Sequence, residues 1–438
     1  MAIFHCELAW LGGDEAVTDV LVTIDGDRIS SVEIGAAPPA GATRLPGLTL
    51  PGFANAHSHA FHRALRGRTE RGSGSFWTWR DQMYEVAARL DPDSYHALAR
   101  ATFAEMALAG ISCVGEFHYL HHGAGGRPHD HPNAMGEAVV AAATEAGLRI
   151  TLLDTCYLHG GIDVAPDETQ QRFVDGDALA WATRAAELRE GPGLRIGAAI
   201  HSVRAVDPAA IEIVAAWAAE RGAPLHAHVS EQPAENELCL AAYGMTPTEL
   251  LADRGALSER FSAVHATHAT DHDLDLLGGA RCWCCLCPTT ERDLADGIAP
   301  ARTMRDAGAH LTLGSDSHAV IDLLEEARAV ELDERLASNV RGSHDVASLL
   351  RAATEQGHAS LGWPDAGRIE PGALADLTTV SLDSVRTVGA SAADALDVAV
   401  FAASAADVAH VVVSGRVVVA DGRHTAIDVP AALGAVLA

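Results

Sequence analysis

The chain has 438 residues, room for two or three domains of about 100–200 residues each, or for a barrel of about 250 residues with an appended domain. Hydrophobic residues make up 48% and charged residues 21%, with 40 Gly and 18 Pro, which excludes a disordered or collagen-like chain. Thirty-one basic against 59 acidic side chains leave a formal charge of −28, a sign that repels phosphate backbones and anionic lipid heads, so neither nucleic acid nor membrane is expected as a partner.

Every permanently charged basic side chain is an arginine, since no lysine occurs; Schiff-base and carbamylated-lysine chemistries are thereby excluded. The opening MAIFHCELAWLGG lacks a basic stretch followed by an apolar run and a small-residue cleavage site, and no segment offers about 20 uninterrupted apolar residues. A cytoplasmic location is expected.

In chain order, residues 16–34 alternate apolar and polar side chains around an Asp-Gly pair, which predicts a β-hairpin. A Pro/Gly connector follows at 34–49. Eight short apolar or β-branched runs then predict strands at 52–57, 111–117, 149–154, 195–201, 224–229, 261–265, 281–287 and 311–316. Stretches of helical period lie between them, at 92–109, 133–146, 178–190, 208–221 and 247–254. Alternation of this kind predicts a parallel sheet, and eight βα units close into a (β/α)8 TIM barrel. Residues 373–382 and 408–423 return to hairpin grammar, with Ser-Gly at the turn. The expected architecture is therefore α/β: a composite β-sandwich domain from residues 1–50 and 366–438, and a catalytic barrel over 51–365.

A barrel enzyme draws its site from the carboxyl ends of its strands. Here those ends carry His57-Ser58-His59 on the first, His201 on the fourth, His226-Ala227-His228 on the fifth, His265 on the sixth and Asp316 on the eighth. Alternation puts His57 and His59 on one side of an extended strand. With His228 and Asp316 they make a nitrogen-rich, oxygen-completed set suited to Zn²⁺ or a similar divalent ion, with a position left for water. Because no lysine can bridge two ions from the fourth strand, a single metal is expected.

Glu231, three residues past His228, is the expected general acid/base; His265 would orient or polarise the attacking group, and Asp316 could accept its proton while ligating the metal. His226 reads as a packed or orienting histidine. Arg80 and Arg204 offer guanidinium groups for a carboxylate, and Tyr119 offers a hydroxyl. The crowded Cys282, Cys284, Cys285 and Cys287 read as reduced core thiols, because ligands at that spacing within one strand cannot converge on one tetrahedron.

The motifs LPGFANAHSHAF (within 45–61, at 50–61), SerAspSer at 315–317 and GRIEPGALADL at 367–377 resemble the amidohydrolase superfamily. Within it, HSHAFHR, SFWTWRDQMY, GEFHYLHH, HSVRAV, HAHVSEQPAE, HATH, CPTTERDLADG and GSDSH are similar to the formimidoylglutamate deiminases over nearly the whole chain. That resemblance implies metal ligands His57, His59, His228 and Asp316, with Glu231 and His265 catalytic. It also implies substrate contacts from Arg80, Tyr119, His201 and Arg204. One departure stands out: His62 occupies a position where this family usually has glutamine. The implied activity is metal-dependent hydrolysis of N-formimino-L-glutamate to N-formyl-L-glutamate and ammonia, in histidine degradation. A small-molecule dicarboxylate is the expected partner, and a homodimer the expected assembly. The alternatives are deamination of an aminated heterocycle on the same scaffold, or a non-catalytic barrel.

Overall fold

The computed structural model describes residues 1–69 and 76–437. Four strands come first: β1 (Ala2–Ala9), β2 (Val17–Asp25), β3 (Arg28–Ile34) and β4 (Thr43–Pro51). β2 and β3 pair antiparallel with Asp25 opposite Arg28. The turn is thus Gly26-Asp27, one residue later than the Asp-Gly pair, because Gly26 takes the positive φ of 63°.

Eight strands then follow, β5 (Phe53–Ser58), β6 (Ile111–His118), β7 (Arg149–Cys156), β8 (Leu194–Ile200), β9 (Leu225–Val229), β10 (Phe261–His265), β11 (Trp283–Leu286) and β12 (His310–Leu313). They pair in chain order into a parallel sheet. Just past β12 the ring is drawn shut: Asp316 N–H donates to the His57 carbonyl at 3.1 Å, and His59 N–H donates to the Asp316 carbonyl at 3.3 Å. This is the (β/α)8 barrel. β12 ends at Leu313, short of Asp316. The chain leaves it through Gly314, where a Cβ would stand 2.8 Å from His57 Cβ and 2.9 Å from the His57 carbonyl, so only glycine passes this close to β5.

β13 (Leu377–Val380), β14 (Val408–Val413), β15 (Arg416–Ala420) and β16 (Arg423–His424) join the opening strands in one separate eight-stranded sheet, ordered β16-β15-β14-β13-β4-β1-β2-β3. Ser414 and Gly415, at φ 52° and 74°, form the turn between β14 and β15. This sheet is fastened to the amino ends of the barrel strands. Gly52 N–H donates to the Asp376 carbonyl at 2.9 Å, Thr378 Oγ1 donates to the Gly110 carbonyl at 2.7 Å, and buried Arg149, at the start of β7, pairs with Asp376. The carboxyl ends are left clear on the opposite side.

Helix boundaries follow from caps. Asp207 accepts from the N–H groups of Ala209 and Ala210, Pro208 opens the helix, and Gly222 at φ 60° ends it, giving Pro208–Arg221 as expected. Pro92–Leu108 starts at a reciprocal cap between Asp91 and Ser94. The segment carrying Arg80 is also a helix, Phe76–Arg89. All eight cysteines are free and buried. No helix among the described residues is long and apolar enough to cross a membrane.

Candidate active site

The end of β5 delivers the first two imidazoles. His57 Nε2 and His59 Nε2 each lie 3.3 Å from Asp316 Oδ1, and His57 Nε2 lies 3.1 Å from His228 Nε2 at the end of β9. These four residues, all buried, converge within 4.8 Å. The far nitrogens of two rings are engaged: His59 Nδ1 bonds the Phe117 carbonyl at 3.0 Å and His228 Nδ1 the His201 carbonyl at 2.9 Å. Nδ1 must therefore be the donor in each, which turns the Nε2 lone pair inward. Burial pushes His57, His59 and His228 below the ordinary imidazole value, His59 to about 3. Burial would push the Asp316 carboxyl up, but the surrounding imidazoles of His57, His265 and His59 outweigh it and hold the group well below the usual carboxylate range. Neutral imidazoles beside a carboxylate, with three nitrogens and an oxygen aimed at one point, fit a divalent cation.

A polar network fixes the seam that carries these groups. Buried Glu116 on β6 accepts from Ser58 Oγ and from Ala60 N–H, both at 2.6 Å, on either side of His59. Ser315 N–H donates to Asn55 Oδ1 at 2.9 Å while Asn55 Nδ2 donates to Ser315 Oγ at 2.7 Å. His318 spans Ser58 and Ser315 through its two ring nitrogens, at 3.2 and 2.9 Å. Of twelve non-glycine residues at positive φ among the described residues, Ser230, His265, Ala266, Asp316 and His318 crowd this rim. Such strain persists only where neighbours over-determine it, as the two ring bonds of His318 and the backbone bonds of Asp316 do at this seam.

His265 stands beside the ligand group, with Nε2 3.7 Å from both Glu231 Oε1 and Asp316 Oδ2 and Nδ1 3.4 Å from Glu291 Oε1. Burial works against its charge, yet Glu231, Glu291 and Asp316 outweigh burial and raise it well above the ordinary histidine value. Burial pushes Glu231 up, with His265 and Arg204 pulling the other way. Arg204 Nη2 lies 3.8 Å from Glu231 Oε2, and its Nε lies 3.6 Å from Glu235 Oε2. Burial raises Glu235 to about 7.

A cavity opens from this group. Of the sequence-predicted residues, His59, His62, Arg80, Tyr119, His201, Arg204, His228, Glu231 and Asp316 line it. His57 and His265 lie behind that wall, and His226 is fully buried outside the ligand group. His62 Nε2 bonds Tyr119 Oη at 2.9 Å and its ring sits 4.4 Å from that of His59. The Arg80 guanidinium lies over the rings of Trp77 at 4.6 Å and Tyr84 at 5.4 Å. Ser75 and the Phe76 side chain of the SFWTWRDQMY motif lie outside the described residues.

Sequence reasoning missed Tyr84, Tyr157, Glu235 and Glu291. Tyr84 carried a signal, since it follows Arg80 by four residues on a helix and so shares its face. Glu235 lies in the first turn of the helix Pro233–Tyr243, which begins just past Glu231. Tyr157 carried the carboxyl-end signal as the first residue past β7, and Glu291 stands on the short helix Pro288–Asp293 that follows β11.

Residues 48–418 match the family model described as the amidohydrolase family. The chain is 37% identical over 397 residues to the formimidoylglutamate deiminase of Pseudomonas aeruginosa, covering 88% of this chain and 87% of that one. It is 29% identical over 427 residues to a 5-methylthioadenosine/S-adenosylhomocysteine deaminase of Natronomonas pharaonis, covering 95% and 93%. A solved amidohydrolase from Brucella melitensis superposes over the whole of both chains with a TM-score of 0.92 at 34% identity. The chain belongs to the amidohydrolase family. It is a metal-dependent hydrolase of the deaminating kind, in which water replaces nitrogen at a C=N carbon.

Proposed function

We propose that this enzyme hydrolyses N-formimino-L-glutamate to N-formyl-L-glutamate and ammonia. The observation that carries the reading is the pair of arginines, Arg80 and Arg204, on the walls of the cavity that opens from the four-ligand group. Two guanidinium groups suit a substrate with two carboxylates. The greater identity to a formimidoylglutamate deiminase than to a nucleoside deaminase, 37% against 29%, supports it.

His57, His59, His228 and Asp316 would hold one divalent ion, for which we propose zinc; when bound, it supplies a Lewis acid and acidifies a water. Glu231 takes a proton from the attacking water and delivers it to the imino nitrogen, and the remaining hydroxyl proton follows to the same nitrogen by way of Asp316, so that it leaves as ammonia. His265, held charged between Glu231, Glu291 and Asp316, steadies the negative charge that develops on oxygen. Arg80 and Arg204 clamp the carboxylates, His201 and Tyr119 contact the chain between them, and Asp316 shares in proton transfer.

A second reading is a deaminase of an aminated heterocycle, favoured by the aromatic side of the cavity, where Trp79, Tyr84, Tyr119, Tyr157 and Phe173 could stack on a ring. Ammonia release from metal-replete protein decides between them. Turnover of N-formimino-L-glutamate above its aspartate homologue upholds the first; turnover of an adenosine derivative with none on either formimino acid establishes the second.

A further inference from the structure

We propose that Gln170, which lies outside the cavity wall, is a positioning residue that aims phenol O–H groups of Tyr84 and Tyr157 at the substrate carboxylate bound beside Arg80 and Arg204. The inference rests on the dicarboxylate reading above. Gln170 is 3% exposed and begins the helical turn Gln170–Phe173. Its Oε1 accepts the Asp167 N–H at 2.9 Å while Asp167 Oδ1 accepts the Gln170 N–H at 2.8 Å. This reciprocal pair fixes which end of the amide is oxygen. The other end, Nε2, donates to Tyr84 Oη at 2.9 Å and to Tyr157 Oη at 2.8 Å.

An amide NH₂ has two hydrogens and no lone pair to accept with. Both phenol oxygens are therefore acceptors toward Gln170, and their own hydrogens must go elsewhere. Tyr157 also faces Tyr84, so one hydrogen can pass between the phenols, and at least one is left for the cavity that both line with Arg204. There it meets an oxyanion as a short, charge-assisted bond. The setting is rigid. Phe173, one turn on, packs its ring 6.0 Å from Tyr84 and 5.3 Å from Tyr157. Gly160 leaves the space in which Gln170 sits, since a Cβ there would stand 2.8 Å from Gln170 Oε1. Without the amide, each hydroxyl rotor could present a lone pair to the carboxylate as readily as a hydrogen.

The test is Gln170→Glu, which keeps the shape but puts an acceptor where the donor stood and draws the phenol hydrogens back. The expected result is a KM for N-formimino-L-glutamate raised about tenfold, the equivalent of one well-made hydrogen bond, with kcat and metal content unchanged. In a Tyr84→Phe/Tyr157→Phe background the same substitution adds nothing, because the groups it acts through are gone. Should thermal unfolding show Gln170→Glu misfolded, Gln170→Met replaces it; free rotors then raise KM by a smaller factor. An unmoved KM in a folded variant, or an effect undiminished in the double-Phe background, overturns the positioning role alone. A wild-type enzyme that releases no ammonia from N-formimino-L-glutamate overturns the substrate reading, and the carboxylate assigned to the phenols falls with it.

Discussion

Asp316 and His57 are joined twice. The Asp316 N–H donates to the His57 carbonyl at 3.1 Å, and the Asp316 carboxylate lies 3.3 Å from His57 Nε2. One residue thus completes both the barrel and the ligand group, so the geometry of the site is set by the pairing of the first and last strands rather than by side-chain rotamers alone.

Asp316→Asn separates these two roles. The backbone bonds survive, so circular dichroism and thermal unfolding of the metal-free protein should stay close to wild type. The charge is lost, and metal affinity should fall by more than the roughly 10–100-fold that loss of a ligand's orienting partner costs. Elemental analysis after dialysis against a chelator reads the result; full retention of metal would remove Asp316 from the ligand set.

Glu231→Gln should keep its metal, because Glu231 is not among the four converging residues. Loss of proton transfer should lower kcat by about 10²–10⁴-fold with little change in KM. A variant within a few-fold of wild-type kcat would assign the proton to another group.

At position 62 the chain departs from the family's usual glutamine, and the structure gives His62 a bond to Tyr119 Oη at 2.9 Å. An amide can make the same bond. His62→Gln should therefore leave metal content alone and move KM by no more than about tenfold, the scale of a single hydrogen bond. A large loss of kcat would show that the imidazole itself takes part in the chemistry.

The parts of this site legible in the sequence are those that periodicity fixes. Strand alternation placed His57 with His59, and the last residues of β9 and β10 brought His228 and His265 to the same rim. The carboxyl-end rule needs no contact information. What stayed hidden depends on loops and on turns at positive φ. Asp316 was legible as a ligand, but it lies three residues past β12 rather than within it, and its exact position follows from the tight passage of Gly314 against His57. Gln170 arrives through a connection whose path no local pattern dictates, whereas Tyr157 directly follows β7 and Glu291 lies on the helix after β11. The terminal sheet was legible as hairpins, but its order, with β1 between β4 and β2, is a long-range pairing that spacing does not encode.

Behind the third strand, buried Arg184 pairs with both Asp154 and Asp175, and Asp175 also takes a bond from His122 at 3.0 Å. Burial opposes the Asp175 charge, but His122 and Arg184 outweigh it and hold the carboxyl far below its ordinary value. A depressed carboxyl stabilises the fold above the unfolded value of 3.8 and loses that contribution as pH falls below it. Asp175→Asn should cost about 3 kcal/mol at pH 7, with the gap from wild type narrowing as the pH is taken below 4. Denaturant unfolding across that range measures it, and a gap that holds constant would refute the linkage.

Arg204 acts on two sides, and its replacement separates them. Its guanidinium is one of the charges that offset the burial pushing Glu231 up, so Arg204→Gln should let the Glu231 carboxyl rise further. Glu231 must be ionised to take a proton from water, and a higher value means ionisation is reached later as pH increases. The acid limb of the kcat/KM profile should therefore shift to higher pH. In the same variant KM at the pH optimum should rise by about tenfold to a hundredfold, as expected when a charged hydrogen bond to a carboxylate is lost. A shifted limb with unchanged KM would confine Arg204 to tuning Glu231; a raised KM with the limb in place would leave it as a substrate clamp alone.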